Sequence, residues 1–210
     1  MTTHIQGILF DKDGTLFGFS DTWADWSVSF LTALAPQDVG LRRAMADMVG
    51  FDWDNRDFRV GSLAVNAAVD EQCELLASVH PELDAKAIEK VAFQSLQDTT
   101  AAPVCDLDLL FSGFRKKGLS LGVATNDFEK SAINQMQDAS VHHHFDFVCG
   151  FDSGFGSKPA AGMIHGFCDH LKLDPSQVAM VGDSTHDLRA GRAAGMIPIG
   201  VLTGLATEHD

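Results

Sequence analysis

The sequence predicts an α/β protein in which a parallel sheet carries helices on both faces and a helical module is inserted after the first strand. Three observations support this. Short apolar, β-favouring segments alternate with helical patterns over most of the chain. Residues from about 20 to 100 break that alternation with one helical pattern after another. Each predicted strand also ends abruptly in polar or glycine residues, as expected for buried parallel strands.

The strands are predicted from short apolar runs. The first run, residues 5–10, ends in Asp-Lys-Asp-Gly, and later strands are expected at 119–124, 145–149, 178–181 and 197–201. Helical patterns lie between them at 106–117, 127–139, 160–172 and 185–194. Strands and helices that alternate in this way predict a Rossmann-like core of three layers.

The inserted module begins with an apolar stripe at helical spacing. Pro36 ends this stripe, which consists of Trp23, Trp26, Phe30, Leu31 and Leu34. Further helices are expected at 38–49, 62–78 and 84–97. The aromatic residues of the stripe are better explained as helix core than as a substrate platform. We therefore expect two domains, an α/β core at 1–17 and 101–210 and a helical domain at 18–100.

The charge of the chain limits its partners. Fifteen Lys and Arg against 29 Asp and Glu leave a net charge of −14, which would repel nucleic acid and anionic membrane surfaces. A small anionic substrate is still compatible, because a few local cations and a metal set the potential of a site. We expect neither a nucleic-acid nor a membrane partner.

The sequence also indicates a cytoplasmic protein. Its start lacks the basic segment of a signal peptide, and no apolar run approaches the roughly 18 residues of a membrane span. The four cysteines, Cys73, Cys105, Cys149 and Cys168, are far apart and form no CxxC pair. Reduced thiols are therefore expected rather than disulfides or a zinc site.

Polar side chains follow the predicted strands where each one ends. Because ligands of an open parallel sheet bind outside the carboxyl ends of its strands, these side chains should converge on one site. They are Asp11, Asp13, Thr125, Asn126, Lys158, Asp183 and Asp187. Carboxylates gathered at one point repel one another unless a cation is present, so the cluster predicts a hard divalent ion, for which Mg²⁺ fits best.

The same residues can carry out phosphoryl transfer. With a cation bound, Asp11 can act as an ionised nucleophile, and Asp13 can serve as acid and then as base. Thr125 can donate a hydrogen bond to a phosphoryl oxygen. Lys158 can offset negative charge in the transition state.

Four segments resemble, in order, the four motifs of the haloacid dehalogenase superfamily. They are Phe10-Asp11-Lys12-Asp13-Gly14-Thr15-Leu16, Thr125-Asn126, Lys158-Pro159, and Gly182-Asp183-Ser184-Thr185-His186-Asp187. The resemblance implies a Mg²⁺-dependent phosphatase that hydrolyses a small phosphorylated metabolite, such as phosphoglycolate or a sugar phosphate, through an aspartyl phosphate on Asp11. It further implies that the Asp11 carboxylate, the Asp13 backbone carbonyl and Asp183 hold the ion, with Asp187 supporting it directly or through water. Thr125, Asn126 and Lys158 would bind the substrate.

The insertion just after the first motif is similar to that of members with an α-helical cap. Phosphoglycolate phosphatases and β-phosphoglucomutases are among them, and their caps close over the substrate and help to select it. Asp13 argues against a 2-haloacid dehalogenase, which lacks an acid there. Two alternatives remain open, namely a phosphomutase and a module that senses phosphate without turnover. The oligomeric state is left undecided.

Two further groups have competing explanations. Arg56 and Arg59 could bind a substrate carboxylate or a second phosphate, or they could pair on the surface with Asp52, Asp54 or Asp57. His142, His143 and His144 suggest a transition-metal site. Their position opposes a functional site, because they precede a strand and should lie at the amino edge of the sheet.

Overall fold

The computed structural model describes residues 4–59, 61–96, 100–207 and 209. Its internal contacts divide the chain into two compact units. The α/β unit comprises Met1–Gly18 and Ala101–Asp210, and the helical unit comprises Phe19–Thr100.

The elements in chain order are β1 (Gly7–Phe10), α1 (Phe19–Leu34), α2 (Val39–Val49), β2 (Phe51–Asp52), β3 (Asp57–Phe58), α3 (Leu63–Asn66), α4 (Val69–Ala77), α5 (Ala85–Ser95), α6 (Leu107–Lys116), β4 (Ser120–Ala124), α7 (Glu129–Asp138), β5 (Phe147–Cys149), α8 (Gly162–Leu171), β6 (Val178–Gly182), α9 (Thr185–Ala193) and β7 (Ile197–Gly200). The predicted α/β fold with a parallel sheet is confirmed.

The sheet of the α/β unit has the strand order β5-β4-β1-β6-β7, and all of its pairs are parallel. Central β1 pairs with β4 on one side and with β6 on the other, so that Phe10 lies opposite both Val123 and Val181. After β1, the next two strands of the sheet along the chain, β4 and β5, lie on one side of β1, and the last two, β6 and β7, lie on its other side. The strand order therefore reverses at β1, and the crevice beyond its carboxyl end is where such sheets bind ligands.

Alternate residues of β1 face two separate apolar layers. Ile8 and Phe10 pack with Phe111 of α6 and Met136 of α7. Leu9 packs on the opposite face against a cluster that includes Phe167 of α8, Met180 and Ala190 of α9. The period-two alternation of a strand buried on both faces thus produces the three layers.

The helical unit has its own core, to which α1, α2, α4 and α5 contribute. Its buried residues include Phe30, Leu31, Met45, Leu76 and Ile88. The Trp26 ring stacks on Phe30 at a centroid distance of 4.8 Å, and Trp23 meets Trp26 edge-on at 5.2 Å. Trp23 and Phe30 are buried, so both residues contribute to the core of this unit.

The prediction of a single helix over residues 62–78 is wrong. The structure has two helices there, α3 and α4, separated by Ala67 and Ala68 in extended conformation. The Gln72 side chain donates a hydrogen bond of 3.1 Å to the Ala67 carbonyl, which the break leaves without a helical partner. The Ser62 hydroxyl caps α3 and donates to the Val49 carbonyl at 2.7 Å.

The β2–β3 hairpin was not expected. In its turn, the Asp52 carboxylate accepts hydrogen bonds from the backbone N–H groups of Asp54 and Asn55, and Arg56 has a φ of 53°. An aspartate that bonds to the backbone two or three residues on is a turn former, which explains the reversal. The predicted helix 84–97 begins at Ala85, because Asp84 is its N-cap, and residue 97 lies outside the described residues.

Within the described part of the chain, no helix is both long and apolar enough to span a membrane. The cysteines carry free thiols. Burial raises the pKa of the Cys73 thiol and of the Cys149 thiol to about 12, so both stay protonated at neutral pH.

Candidate active site

Three adjacent strands deliver polar groups to one edge of the sheet. The backbone N–H of Asp11, just beyond β1, donates to the Val181 carbonyl at 2.8 Å, and that of Thr125 donates to the Cys149 carbonyl at 3.0 Å. Asp183 follows the end of β6 directly. The parallel pairing therefore holds the backbones of these residues in register at the carboxyl end of the sheet.

Three carboxylates meet at this edge. Oxygen atoms of Asp11, Asp183 and Asp187 lie within 4.8 Å of one another, and all three residues are buried. Asp183 lies against the backbone of two glycines. A Cβ at Gly14, whose φ is +82°, would come within 2.4 Å of an Asp183 oxygen, and one at Gly204 would come within 1.7 Å. A side chain at either position would therefore displace the Asp183 carboxylate.

Lys158 is the cation of this carboxylate cluster. Its ammonium donates to Asp11 Oδ1, and to Asp187 Oδ1 at 2.7 Å. The Asn126 side chain fixes the backbone of Lys158 through two hydrogen bonds, one to its carbonyl (3.0 Å) and one from its N–H (2.8 Å). The amide of Asn126 is thus committed to positioning Lys158.

The second oxygen of Asp187 closes a capping box at the start of α9. It accepts hydrogen bonds from the Ser184 hydroxyl at 2.6 Å and from the Ser184 N–H at 3.1 Å. A carboxylate at this place also interacts favourably with the helix dipole. Asp187 therefore supports the helix with one oxygen and contacts Lys158 with the other.

The electrostatics of the cluster favour an added cation. Burial raises the pKa of Asp11 well above its usual range, although Lys158 opposes this. Burial, together with the nearby Asp187, raises the pKa of Asp183 to about 6. Burial would lower the pKa of Lys158, but the attraction of Asp11 and Asp187 outweighs it and raises that pKa. The carboxylates of Asp11, Asp183 and Asp187 around the Lys158 ammonium form an oxygen-rich, negatively charged donor set that fits a hard divalent ion.

A second buried charge cluster, which sequence reasoning missed, is centred on Lys12. Its ammonium donates to Asp13 Oδ1 at 2.7 Å and to Gln135 Oε1 of α7 at 2.5 Å, and it lies 3.2 Å from Asp127 Oδ2. The Lys12 side chain is 0% exposed. Its position after Phe10 in the strand alternation is the signal that could have placed it on the α6–α7 face.

Thr125, a predicted substrate-binding residue, contacts Asp127 of the Lys12 cluster. Its hydroxyl accepts a hydrogen bond of 3.1 Å from the Asp127 N–H, and the residue is buried at the end of β4. The Asp127 carboxylate in turn accepts from the Phe128 N–H at 2.7 Å, which fixes the first turn before α7.

The two predicted arginines belong to the helical unit. Arg56 pairs with Asp25 at 3.3 Å and Arg59 pairs with Asp47 at 2.5 Å. The arginines therefore form surface ion pairs, but with other partners than Asp52, Asp54 or Asp57, which the sequence had suggested as one alternative; Asp54 pairs with Arg43. Arg56 also lines an open cleft of about 440 Å³, together with Ser20, Asp21, Ala24, Asp25, Asn55 and Asp57. One guanidinium among three carboxylates gives this cleft little attraction for an anion.

The histidines lie before β5, away from the carboxyl end of the sheet, in a short 3₁₀ turn, His142–His144. His144 is buried, and its Nε2 is 2.8 Å from Asp108 Oδ1 of α6. The ring centroids of His143 and His144 are 4.0 Å apart with the ring planes at 38°, and His143 Nε2 lies 3.9 Å from the same oxygen. The contact between His144 and Asp108 ties this turn to α6.

Comparisons with known proteins point to one family. The family model of the haloacid dehalogenase-like hydrolases matches residues 8–201. The protein named probable phosphatase IndB of Dickeya dadantii is 32% identical over 97% of this chain and 84% of its own length. The phosphoglycolate phosphatase of Chromobacterium violaceum is 28% identical over 97% of this chain and 87% of its own length.

A solved structure supports the fold. The crystal structure of a predicted phosphoglycolate phosphatase from Haemophilus somnus superposes with a TM-score of 0.70 at 20% identity, covering 95% of this chain and 86% of that one. The prediction of a phosphatase is confirmed by the named relatives. With its fold, its motifs and nearly its whole length matched, this chain belongs to the haloacid dehalogenase-like hydrolase family.

Proposed function

We propose that this phosphatase depends on Mg²⁺ and hydrolyses a small phosphomonoester through an aspartyl phosphate on Asp11. The observation that carries the proposal is the cluster of three buried carboxylates, Asp11, Asp183 and Asp187, with the Lys158 ammonium in contact with two of them. Buried carboxylates that outnumber their counter-ions are stabilised by a bound cation.

The proposed metal ligands are the carboxylates of Asp11 and Asp183 and the backbone carbonyl of Asp13, with Asp187 in support. The raised pKa of Asp11 and of Asp183 is consistent with a site that is completed by a cation. Bound Mg²⁺ would offset the negative charge of the phosphoryl oxygens, so that an anionic nucleophile can approach phosphorus.

The residues of the chain then carry two steps. An Asp11 oxygen forms a bond to phosphorus while the bond to the leaving oxygen breaks, and the Asp13 carboxyl gives its proton to that oxygen. Asp13, now a carboxylate, takes a proton from water as the water oxygen attacks the aspartyl phosphate and Asp11 leaves. Lys158 and the Thr125 hydroxyl stabilise the charge on the equatorial oxygens.

The substrate class we propose is phosphoglycolate or a sugar phosphate. The likeness to proteins named phosphoglycolate phosphatase supports the first of these. The helical unit is the part of the chain that we propose selects the substrate, since the insertion follows the first motif directly. Arg56 and Arg59 remain predicted substrate contacts, although each already pairs with a carboxylate.

The test is turnover of a panel of phosphorylated metabolites with Mg²⁺, by wild type and Asp11→Asn. We expect Asp11→Asn to lower kcat/KM by at least about 10³-fold, because it removes the nucleophile at nearly constant shape. Asp138→Asn, the same change on the exposed end of α7, is the matched control and should leave kcat/KM unchanged.

Chelation should abolish wild-type turnover, and added Mg²⁺ should restore it. Turnover that survives either Asp11→Asn or the chelator would contradict the mechanism. Binding of phosphate and Mg²⁺ by wild type without turnover of any ester would instead select the sensing module.

A further inference from the structure

We propose that Lys12 is a positioning residue for the acid–base step, holding the Asp13 carboxyl in the orientation that proton transfer requires. This inference rests on the proposed function and deepens it. Lys12 lies between the two proposed catalytic aspartates in sequence. Its side chain, however, is directed away from the carboxylate cluster and into the α6–α7 layer.

The contacts of Lys12 fix its ammonium in space. It donates to Gln135 Oε1 at 2.5 Å and lies 3.2 Å from Asp127 Oδ2, and these partners come from α7 and from the segment that precedes it. All three residues are buried. An ammonium held by two partners on separate turns of the chain has little freedom to move, because shifting it would break buried hydrogen bonds.

The fixed ammonium in turn orients Asp13. It donates to Asp13 Oδ1 at 2.7 Å, a charge-assisted hydrogen bond to a side chain that is 12% exposed. Since one carboxyl oxygen is held in place, the rotation of Asp13 is restricted and its second oxygen is directed consistently. A general acid must lie within hydrogen-bond reach of the leaving oxygen, so this restriction favours the productive geometry.

Lys12 also balances charge that would otherwise be buried. Burial raises the pKa of Asp127, and Lys12 opposes that rise. Removing Lys12 would leave Asp127 and Asp13 facing each other without a cation. A purely structural role for Lys12 therefore has to be separated from positioning, and leaving-group dependence separates them.

The experiment compares an alkyl phosphate from the metabolite panel with 2,4-dinitrophenyl phosphate. The alkoxide needs a proton to depart, whereas dinitrophenolate departs without one. For Lys12→Met we expect kcat/KM for the alkyl ester to fall about 100-fold, within the usual contribution of general acid catalysis, and kcat/KM for the dinitrophenyl ester to fall by less than about fivefold.

A second readout uses kcat. For the dinitrophenyl ester, kcat/KM reports only the steps through departure of the phenolate, whereas kcat includes hydrolysis of the aspartyl phosphate, for which Asp13 is the base. We therefore expect kcat and KM for this ester to fall together in Lys12→Met. A residue that only supports the fold would lower kcat/KM for both esters equally.

Two further variants guard against misfolding. Lys12→Met with Asp127→Asn removes a buried charge pair together and should fold even where Lys12→Met alone does not, yet it should still discriminate between the two esters. Gln135→Met removes one of the two partners that fix Lys12 but keeps the contact between Lys12 and Asp13, so it should lower the alkyl-ester activity by less than Lys12→Met does.

Equal losses for both esters, or no loss for either, in the folded double variant would overturn the proposal. These outcomes differ from a failure of the proposed function. In that case the Asp11→Asn variant would keep the turnover of the wild type.

Discussion

Two ion pairs, one in the α/β unit and one in the helical unit, differ in their burial. Lys158 and Asp11 have side chains that are 4% and 8% exposed, whereas those of Arg59 and Asp47 are 51% and 65% exposed. Water screens the second pair but not the first. The two pairs should therefore differ in their effect on stability, because only the buried charges have a large energetic consequence when a partner is lost.

The largest expected effect comes from Lys158→Met. Removing one partner of a buried ion pair typically destabilises a protein by about 3–5 kcal/mol, and here it leaves Asp11 and Asp187 facing each other. We expect the free energy of unfolding, measured with urea in the absence of metal, to fall by this amount, and kcat to fall at least about 10²-fold. Lys130→Met, an exposed position on α7, is the matched control. Equal stability of the two variants would contradict the difference between buried and exposed charges.

A smaller effect is expected when Mg²⁺ is added. An ion that binds only the folded state stabilises it by about 2.7 kcal/mol at a concentration of 100 Kd. We expect Mg²⁺ to raise the unfolding midpoint of wild type, and Asp183→Asn to reduce that gain, because it removes a proposed ligand from the cluster. An unfolding midpoint that does not respond to Mg²⁺ at millimolar concentration would count against the metal site.

The smallest effects are expected in the helical unit. Arg56→Ala and Arg59→Ala should each change the free energy of unfolding by less than about 1 kcal/mol, because their pairs are exposed. The same variants test the predicted substrate contacts. If kcat/KM for the best substrate is unchanged, both arginines serve surface pairing alone. If kcat/KM falls while the free energy of unfolding stays the same, substrate binding is supported.

The residues at the strand ends could be predicted because their signals are local. Asp11, Thr125 and Asp183 each follow a short apolar run, and parallel strands end at one edge of a sheet. The alternation of strands and helices gave the fold in the same way. These features depend on period and turn chemistry, which a single sequence carries.

Lys12 could not be recognised in this way, since a lysine beside two aspartates is normally interpreted as solvated. Its environment depends on Asp127 and Gln135, residues more than one hundred positions away along the chain. Strand alternation indicated the correct face, but the buried partners that make the position stable come from tertiary structure.

Two features of the helical unit were missed in the sequence for a different reason. The break between α3 and α4 is stabilised by the Gln72 side chain on the Ala67 carbonyl, and the β2–β3 turn is stabilised by Asp52 on following backbone N–H groups. Both are local hydrogen bonds between a side chain and the nearby backbone, and they decided the structure in these two segments.

The position of β1 at the centre of the sheet has a consequence for biosynthesis. The ribosome makes this strand well before its partners, which are 120–123 and 178–181. The helical unit, by contrast, is contiguous, and it can fold while the rest of the chain is still being made. We expect β1, which directly precedes Asp11, to remain without its sheet partners until most of the protein has emerged, so that a prematurely terminated chain would contain a folded helical unit and no working active site.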